Sequence, residues 1–192
     1  MEATLTRIGV TDARPAQFAL AAAAAVLRAV RQMGAAILAG SDHPVFRTPD
    51  SASSLVLASR TEQNRLLDAG FYVDPDSARE ALRERGQFNA VDPSSGWKAD
   101  FIIRADAPFD STEFARRQAV NMLGTDLYVA TPEDTIISKL RWARAGQSER
   151  QLRDVVGIVQ ISGSDLDTGY IEKWVHGLDL DDAWAQVRAM AE

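Results

Sequence analysis

The sequence predicts an α/β (α+β) protein with a mixed sheet and flanking helices over residues 1–130 and a helical bundle over residues 131–192. Up to about residue 130, short apolar segments alternate with segments of helical periodicity. From Thr131 onward, only helical patterns and helix-start signals remain. The composition, with 46% hydrophobic and 25% charged residues in a chain of 192, is typical of a globular protein and excludes a disordered or fibrous one.

The first seventy residues are predicted to form two helices and two short buried strands. The first helix begins at Pro15, because Pro is favoured in the first turn, and it ends before Gly34. The stretch between the two strands is polar and rich in turn residues, so we interpret it as a loop. In chain order the four elements are 15–33, 35–39, 55–57 and 61–69.

Residues 71–130 are predicted to form two helices, a β-hairpin and a further strand. Asp74 is a preferred helix cap and Pro75 a preferred first residue. Asp110 and Glu113 have the spacing of a capping box, which predicts a short helix that extends through Val120. In chain order the elements are a helix to about residue 85, a hairpin over 88–104, the short helix and a strand over 127–130.

The C-terminal part is predicted to contain four helices. The first begins at Thr131-Pro132, where a cap and a Pro are followed by two acids. We interpret these acids, Glu133 and Asp134, as partners of the helix dipole rather than as catalytic carboxylates. The other helices are expected to begin at Ser148, Asp167 and Asp179.

Four positions are candidates for chemistry. Gly40-Ser41 follows an apolar strand and could bind a phosphate through backbone N–H groups and a hydroxyl, or it could be an ordinary turn. Asp50 precedes the strand at 55–57. Asp100 lies in an apolar strand, where a carboxylate is costly to bury unless it is paired or binds a metal; the alternative is an edge strand that faces solvent. Lys139 either reaches into a cleft or extends to water.

Composition and charge exclude several classes of site. The chain has no cysteine and two histidines, so disulfides, thiolate sites and multi-histidine zinc sites are not expected. The net charge of −6 argues against a broad surface for duplex nucleic acid. No apolar stretch reaches the roughly 18 residues that a membrane span requires, and we expect a cytoplasmic protein with no membrane partner.

Two stretches carry a resemblance to a known family. They are FYVDPDSAREALRERGQFNAVDPSSGWKADFII, with a Lys-x-Asp strand, and TPEDTIISKLRWARAGQSERQLRDVVGIV, with a Pro-Glu-Asp helix start. Both resemble the nucleotidyltransferase-fold superfamily, in particular minimal bacterial proteins related to the AbiEii-type nucleotidyltransferases. The resemblance covers about residues 20–185 and is strongest over 71–160.

The resemblance implies a nucleotidyltransferase-like fold and a nucleotide site. Gly40 and Ser41 match the turn that binds a nucleoside triphosphate. Lys139 matches the lysine of the helical half, and the resemblance implies that it binds the nucleotide as well. Asp50 and Asp100 match the first and third of three acids that hold Mg²⁺ and serve catalysis in that family.

The second acid of the family pattern is missing, because position 52 is Ala52. The resemblance therefore implies Mg²⁺-dependent nucleotide binding, or nucleotidyl transfer to an unknown acceptor, at a degenerate site. A first alternative is a catalytically inactive module of the same fold that binds a partner, for example in a toxin–antitoxin system. A second is an α/β domain without a nucleotide site.

Overall fold

A computed structural model describes residues 36–38, 45–47, 71–91, 93, 98–122 and 125–191. The predicted elements at 15–33, 55–57 and 61–69 lie outside the described residues. The described part is a mixed α+β structure, and it falls into two compact units that meet in sequence between Val129 and Ala130.

The first unit contains one mixed sheet. Its strands are β1 (Ala36–Leu38), β2 (Val45–Arg47), β3 (Tyr72–Val73), β4 (Gln87–Val91), β5 (Lys98–Ile102), β6 (Gln118–Met122) and β7 (Thr125–Val129). Their order across the sheet is β3-β4-β5-β2-β1-β7-β6. The pairs β1–β7 and β2–β5 are parallel, and the other four neighbouring pairs are antiparallel.

Within the described residues, two helices accompany these strands, α1 (Pro75–Glu84) and α2 (Pro108–Arg116). The predicted start of α1 is confirmed, because the Asp74 carboxylate accepts a hydrogen bond from the Ser77 backbone N–H at 3.0 Å. The predicted hairpin is confirmed as well, since β4 pairs antiparallel with β5.

The prediction of a helix through Val120 is wrong. Helix α2 ends at Arg116, and the following residues form β6, which pairs along its whole length with β7. Asp110 and Glu113 are not a capping pair but buried residues inside α2, whose cap position is Ala107. Pairing with a neighbouring strand has therefore overridden the local helical pattern.

Strand β2 was not predicted, because it lies in the stretch that the sequence marks as a loop. It has three residues, which is too short to show the alternation of a strand. Its backbone pairs through hydrogen bonds with β1 on one side and with β5 on the other. Strand β2 therefore joins the hairpin β4–β5 to the rest of the sheet.

One face of the hairpin β4–β5 forms a buried core. Phe88 and Phe101 are opposite each other in the register and stack with their ring centroids 5.0 Å apart. Ala90 lies on the same side of β4 and is buried, as are Ala78 and Ala81 of α1. Since α1 packs on β4, this helix covers part of the hairpin.

The second unit consists of helices: α3 (Pro132–Gly146), α4 (Glu149–Ser162), a 3₁₀ turn (Gly163–Asp165), α5 (Thr168–Gly177) and α6 (Asp181–Ala191). Helix α3 packs on α4 and α5, and α6 packs on α4. The buried apolar side chains include Ile136, Leu140, Val155, Ile171, Val175, Trp184 and Val187. None of the described helices is long and apolar enough to cross a bilayer.

Most helices of this unit begin where the sequence predicts. The Thr131 hydroxyl accepts from the Asp134 N–H, and the Asp167 carboxylate accepts from the Tyr170 N–H, as expected of caps. The prediction for Asp179 is wrong, because α6 begins at Asp181. Asp179 has a φ of 55°, in the left-handed region that Asp tolerates, and it belongs to the turn that precedes α6.

Candidate functional site

Asp100 is the one predicted metal-binding acid within the described residues, and it lies on an interior strand. Strand β5 has β4 on one side and β2 on the other, so the alternative of an edge-strand carboxylate is wrong. Asp100 is half-buried, whereas the next residue, Phe101, is fully buried in the hairpin core. The carboxylate therefore belongs to the face of β5 opposite the phenylalanine stack.

The strand register aligns Asp100 with the end of β1. Asp100 is opposite Val45 of β2, and Val45 is opposite Leu38, the last residue of β1. Two strand spacings of about 4.8 Å separate the Cα atoms of Asp100 and Leu38 by about 10 Å. In the sequence, Gly40-Ser41 follows Leu38 after one residue, although this pair and Asp50 lie outside the described residues.

Polar side chains share the Asp100 face of the hairpin. Asn89 is directly opposite Asp100 in the β4–β5 register, and Gln87 is two residues before Asn89. Both amides are exposed, whereas the alternating residues Phe88 and Ala90 are buried. Sequence reasoning missed Asn89, although the alternation of buried and polar residues in β4 is the signal that could have identified it.

Lys139 lies in the second unit and is held by partners within that unit. Its Nζ donates to the Asp154 carboxylate at 2.7 Å and to the Gln151 amide oxygen at 3.2 Å, both on α4. The Lys139 side chain is 2% exposed and that of Asp154 is 28% exposed. The ammonium group therefore ties α3 to α4.

A second polar group surrounds the start of α3. The buried Asp134 carboxylate accepts hydrogen bonds from the Thr131 hydroxyl at 2.7 Å and the Tyr170 hydroxyl at 2.5 Å. Glu133 accepts from the Asp167 N–H at 3.2 Å. The Thr131–Asp134 contact is the one expected at a helix start, whereas the contacts of Glu133 and Tyr170 connect the start of α3 to that of α5. Tyr170 was not identified from the sequence, because 36 residues separate it from Asp134.

A cation–aromatic stack lies beside the end strands of the sheet. The Arg117 guanidinium lies 4.0 Å from the Phe114 ring centroid and 4.6 Å from that of Tyr128. Its Nη1 also donates to the Phe114 carbonyl at 2.6 Å. Arg117 therefore ties the end of α2 to β7, which is a structural role.

The described residues contain no group of three or more His, Asp or Glu side chains that could hold a metal ion. Of the predicted set, Asp100 is the carboxylate within that part of the chain. One carboxylate is compatible with Mg²⁺, which often takes one or two protein carboxylates and completes its shell with phosphate oxygens and water.

Comparisons with known proteins identify no family for this chain. No protein-family model matches the chain, and a search of the curated proteins returns no match. The structural features that bear on function are therefore Asp100, its alignment with the end of β1 and the residues that share its face of the sheet.

Proposed function

We propose that this protein is nucleotidyltransferase-like and binds a nucleoside triphosphate with Mg²⁺ at the end of the sheet where β1 and β2 are joined. In this proposal Gly40 and Ser41 bind the phosphates and Asp100 faces the ion. The observation that carries the proposal is the alignment of Asp100, through Val45, with Leu38. It separates the Cα atoms of Asp100 and Leu38 by about 10 Å, and Leu38 precedes the Gly-Ser turn in the chain.

Phosphate binding at the turn needs little from side chains. Backbone N–H groups and the Ser41 hydroxyl supply donors, and Gly40 permits close approach of the phosphate to the backbone. These donors are independent of the acids. If one acid is missing, the backbone N–H groups and the Ser41 hydroxyl can therefore still bind the triphosphate.

Transfer is expected to be weak or absent, because the acid set is incomplete. Asp50 and Asp100 are the acids that would hold Mg²⁺, and Ala52 occupies the position of the second acid. When bound, Mg²⁺ would offset the charge of the phosphates. With fewer carboxylates, this chain holds that positive charge less firmly at the reacting phosphate.

Ala52 also favours the alternative function, an inactive partner-binding module of the same fold. A chain that no longer transfers nucleotides does not need the second acid. The two functions differ in one measurable property, which is nucleotide binding that depends on a divalent ion. In the partner-binding alternative, Asp100 is dispensable for any ligand that the protein retains.

Calorimetric titration with ATP, CTP, GTP and UTP in the presence of Mg²⁺ tests the proposal. We expect weak binding by the wild type, weaker Mg²⁺-dependent binding in Asp100→Ala and tighter binding in Ala52→Asp. Asp126→Ala is the matched control, because Asp126 is an exposed acid on β7 of the same sheet. Equal affinities in wild type, Asp100→Ala and Asp126→Ala would contradict the proposal.

Incubation with labelled nucleotide and Mg²⁺ or Mn²⁺ tests the degenerate character of the site. We expect little or no labelled product from the wild type, and more from Ala52→Asp if the acceptor is present. Strong labelling by the wild type that disappears in Asp100→Ala would overturn the degenerate interpretation and identify an active transferase.

A further inference from the structure

We propose that Asn89 is a second oxygen ligand for a divalent cation at Asp100. The inference extends the proposed function, on which it rests, because it assigns to the metal site a residue that the family resemblance does not supply. A carboxylate oxygen of Asp100 and the amide oxygen of Asn89 are both hard donors of the kind that Mg²⁺ and Mn²⁺ bind.

The register of the hairpin brings the two side chains together. Asn89 and Asp100 are directly opposite in the antiparallel β4–β5 pair. Residues in such pairs have Cβ atoms about 4.5–5.5 Å apart on the same face. That face is opposite the stack of Phe88 on Phe101, and Asn89 is exposed on it.

Another pair in the same sheet shows that this geometry permits contact. Asn121 and Asp126 are directly opposite in the β6–β7 register, and the Asn121 Nδ2 donates to the Asp126 Oδ1 at 2.7 Å. Side chains of this length therefore meet across one strand spacing. At Mg²⁺–oxygen distances of about 2.0–2.1 Å, an oxygen from each residue of an Asn–Asp pair can reach one ion.

The two pairs differ in what surrounds them. Asn121 and Asp126 are both exposed. Asp100 is half-buried on an interior strand and aligned with the end of β1. A cation at Asn89 and Asp100 would therefore be less exposed to solvent and closer in the sheet to the turn that receives phosphates.

An amide oxygen also changes the charge of the site. It occupies one position in the coordination shell but brings no negative charge, so the ion is held more weakly than by two carboxylates. Asn89 would thus supply a ligand oxygen but no charge, whereas the acid that is missing from the family pattern would have supplied both. The resulting site favours an ion that is shared with a triphosphate.

Mn²⁺ titration without nucleotide, followed by the paramagnetic signal of the free ion, tests this pair on the full chain. Relative to wild type, we expect Asn89→Ala to lower the Mn²⁺ affinity by at least about tenfold. A loss of that size is typical even when the mutated residue only hydrogen-bonds to a metal ligand. Asn121→Ala is the matched control and is expected to leave the affinity unchanged. Circular dichroism of each variant verifies the fold.

A gain of function gives an independent readout. Asn89→Asp adds a carboxylate opposite Asp100 and is expected to tighten Mn²⁺ binding, whereas Asn121→Asp is not expected to do so. Unchanged affinity in both Asn89 variants, equal effects at positions 89 and 121, or no Mn²⁺ binding by the wild type would overturn the inference.

The failures of the two proposals are distinguishable. If Asn89→Ala binds Mn²⁺ like the wild type while Mg²⁺-dependent nucleotide binding still requires Asp100, the inference on Asn89 fails and the proposed function stands. If Mn²⁺ binding requires Asn89 and Asp100 but no nucleotide binds, the cation pair stands and the proposed function fails.

Discussion

At the scale of single residues, Lys139 is the clearest case of a buried charge with a defined partner. Its side chain is 2% exposed, and its ammonium group contacts Asp154 and Gln151. Removal of the carboxylate would leave a buried cation without its counter-charge. Removal of the lysine would leave Asp154, which is 28% exposed and can be hydrated.

We therefore expect Asp154→Ala to reduce the free energy of unfolding by roughly 3 kcal/mol, the lower end for a broken buried pair. Lys139→Met fills a similar volume and is expected to cost about 1 kcal/mol or less. Urea unfolding measured by circular dichroism gives the free energy of unfolding of both variants. A larger loss in Lys139→Met than in Asp154→Ala would contradict the assignment of the buried cation as the costly partner.

At the scale of the element, helix α1 depends on the cap at its start. The Ser77 hydroxyl donates to the Asp74 carboxylate at 2.5 Å, and the Ser77 backbone N–H donates to the same oxygen. These hydrogen bonds, the hydroxyl first, lower the pKa of Asp74 below its ordinary value of 3.8. The contribution of this cap to the free energy of unfolding is therefore fully present above pH 3.8, and it is lost as the pH falls through the lower folded-state pKa.

Ser77→Ala removes the hydroxyl donor but retains the backbone N–H. We expect the pKa of Asp74 to rise toward 3.8 in this variant, because the strongest hydrogen bond to the ionised form is gone. Titration of the Asp74 carboxyl carbon by NMR gives the value directly. Ser111→Ala is the control, since the Ser111 hydroxyl accepts from Arg104 instead; an equal shift in both variants would argue against the cap as the cause.

Local chemistry explains which elements could be predicted. Asp74, Thr131 and Asp167 each accept a hydrogen bond from a backbone N–H three residues later, so the signal and its partner lie within one turn. The short helix after residue 107 was extended too far, because β6 forms only where β7 is available as a partner. Strand β2 was missed because it has three residues and forms only where β1 and β5 are available as partners.

At the scale of the whole molecule, the chain divides into a unit with a mixed sheet and a unit of helices. The second unit has a core of its own, in which Trp184 of α6 is 5% exposed. Met190 lies on the same helix but is 50% exposed. The two residues therefore offer a comparison between a buried and an exposed large side chain within one element.

Trp184→Ala is expected to reduce the stability of the second unit by roughly 3–5 kcal/mol, because it removes a large buried aromatic side chain. Met190→Ala is expected to change it by less than about 0.5 kcal/mol. Thermal unfolding followed by circular dichroism at helical wavelengths measures both. An unchanged melting temperature in Trp184→Ala would show that the tryptophan does not contribute to the core.

The sequence by itself determined the α+β class, the helix caps, the hairpin β4–β5 and the alternation that separates Asp100 from Phe101. Each of these depends on residues that are close in the chain, where spacing alone fixes which groups can meet. Only the tertiary structure decided the sheet order, the partners of Lys139 and Tyr170, and the alignment of Asp100 with Asn89 and Leu38. Those features require strands and helices that are distant in sequence to pack together, and the free energy of that packing belongs to no single segment.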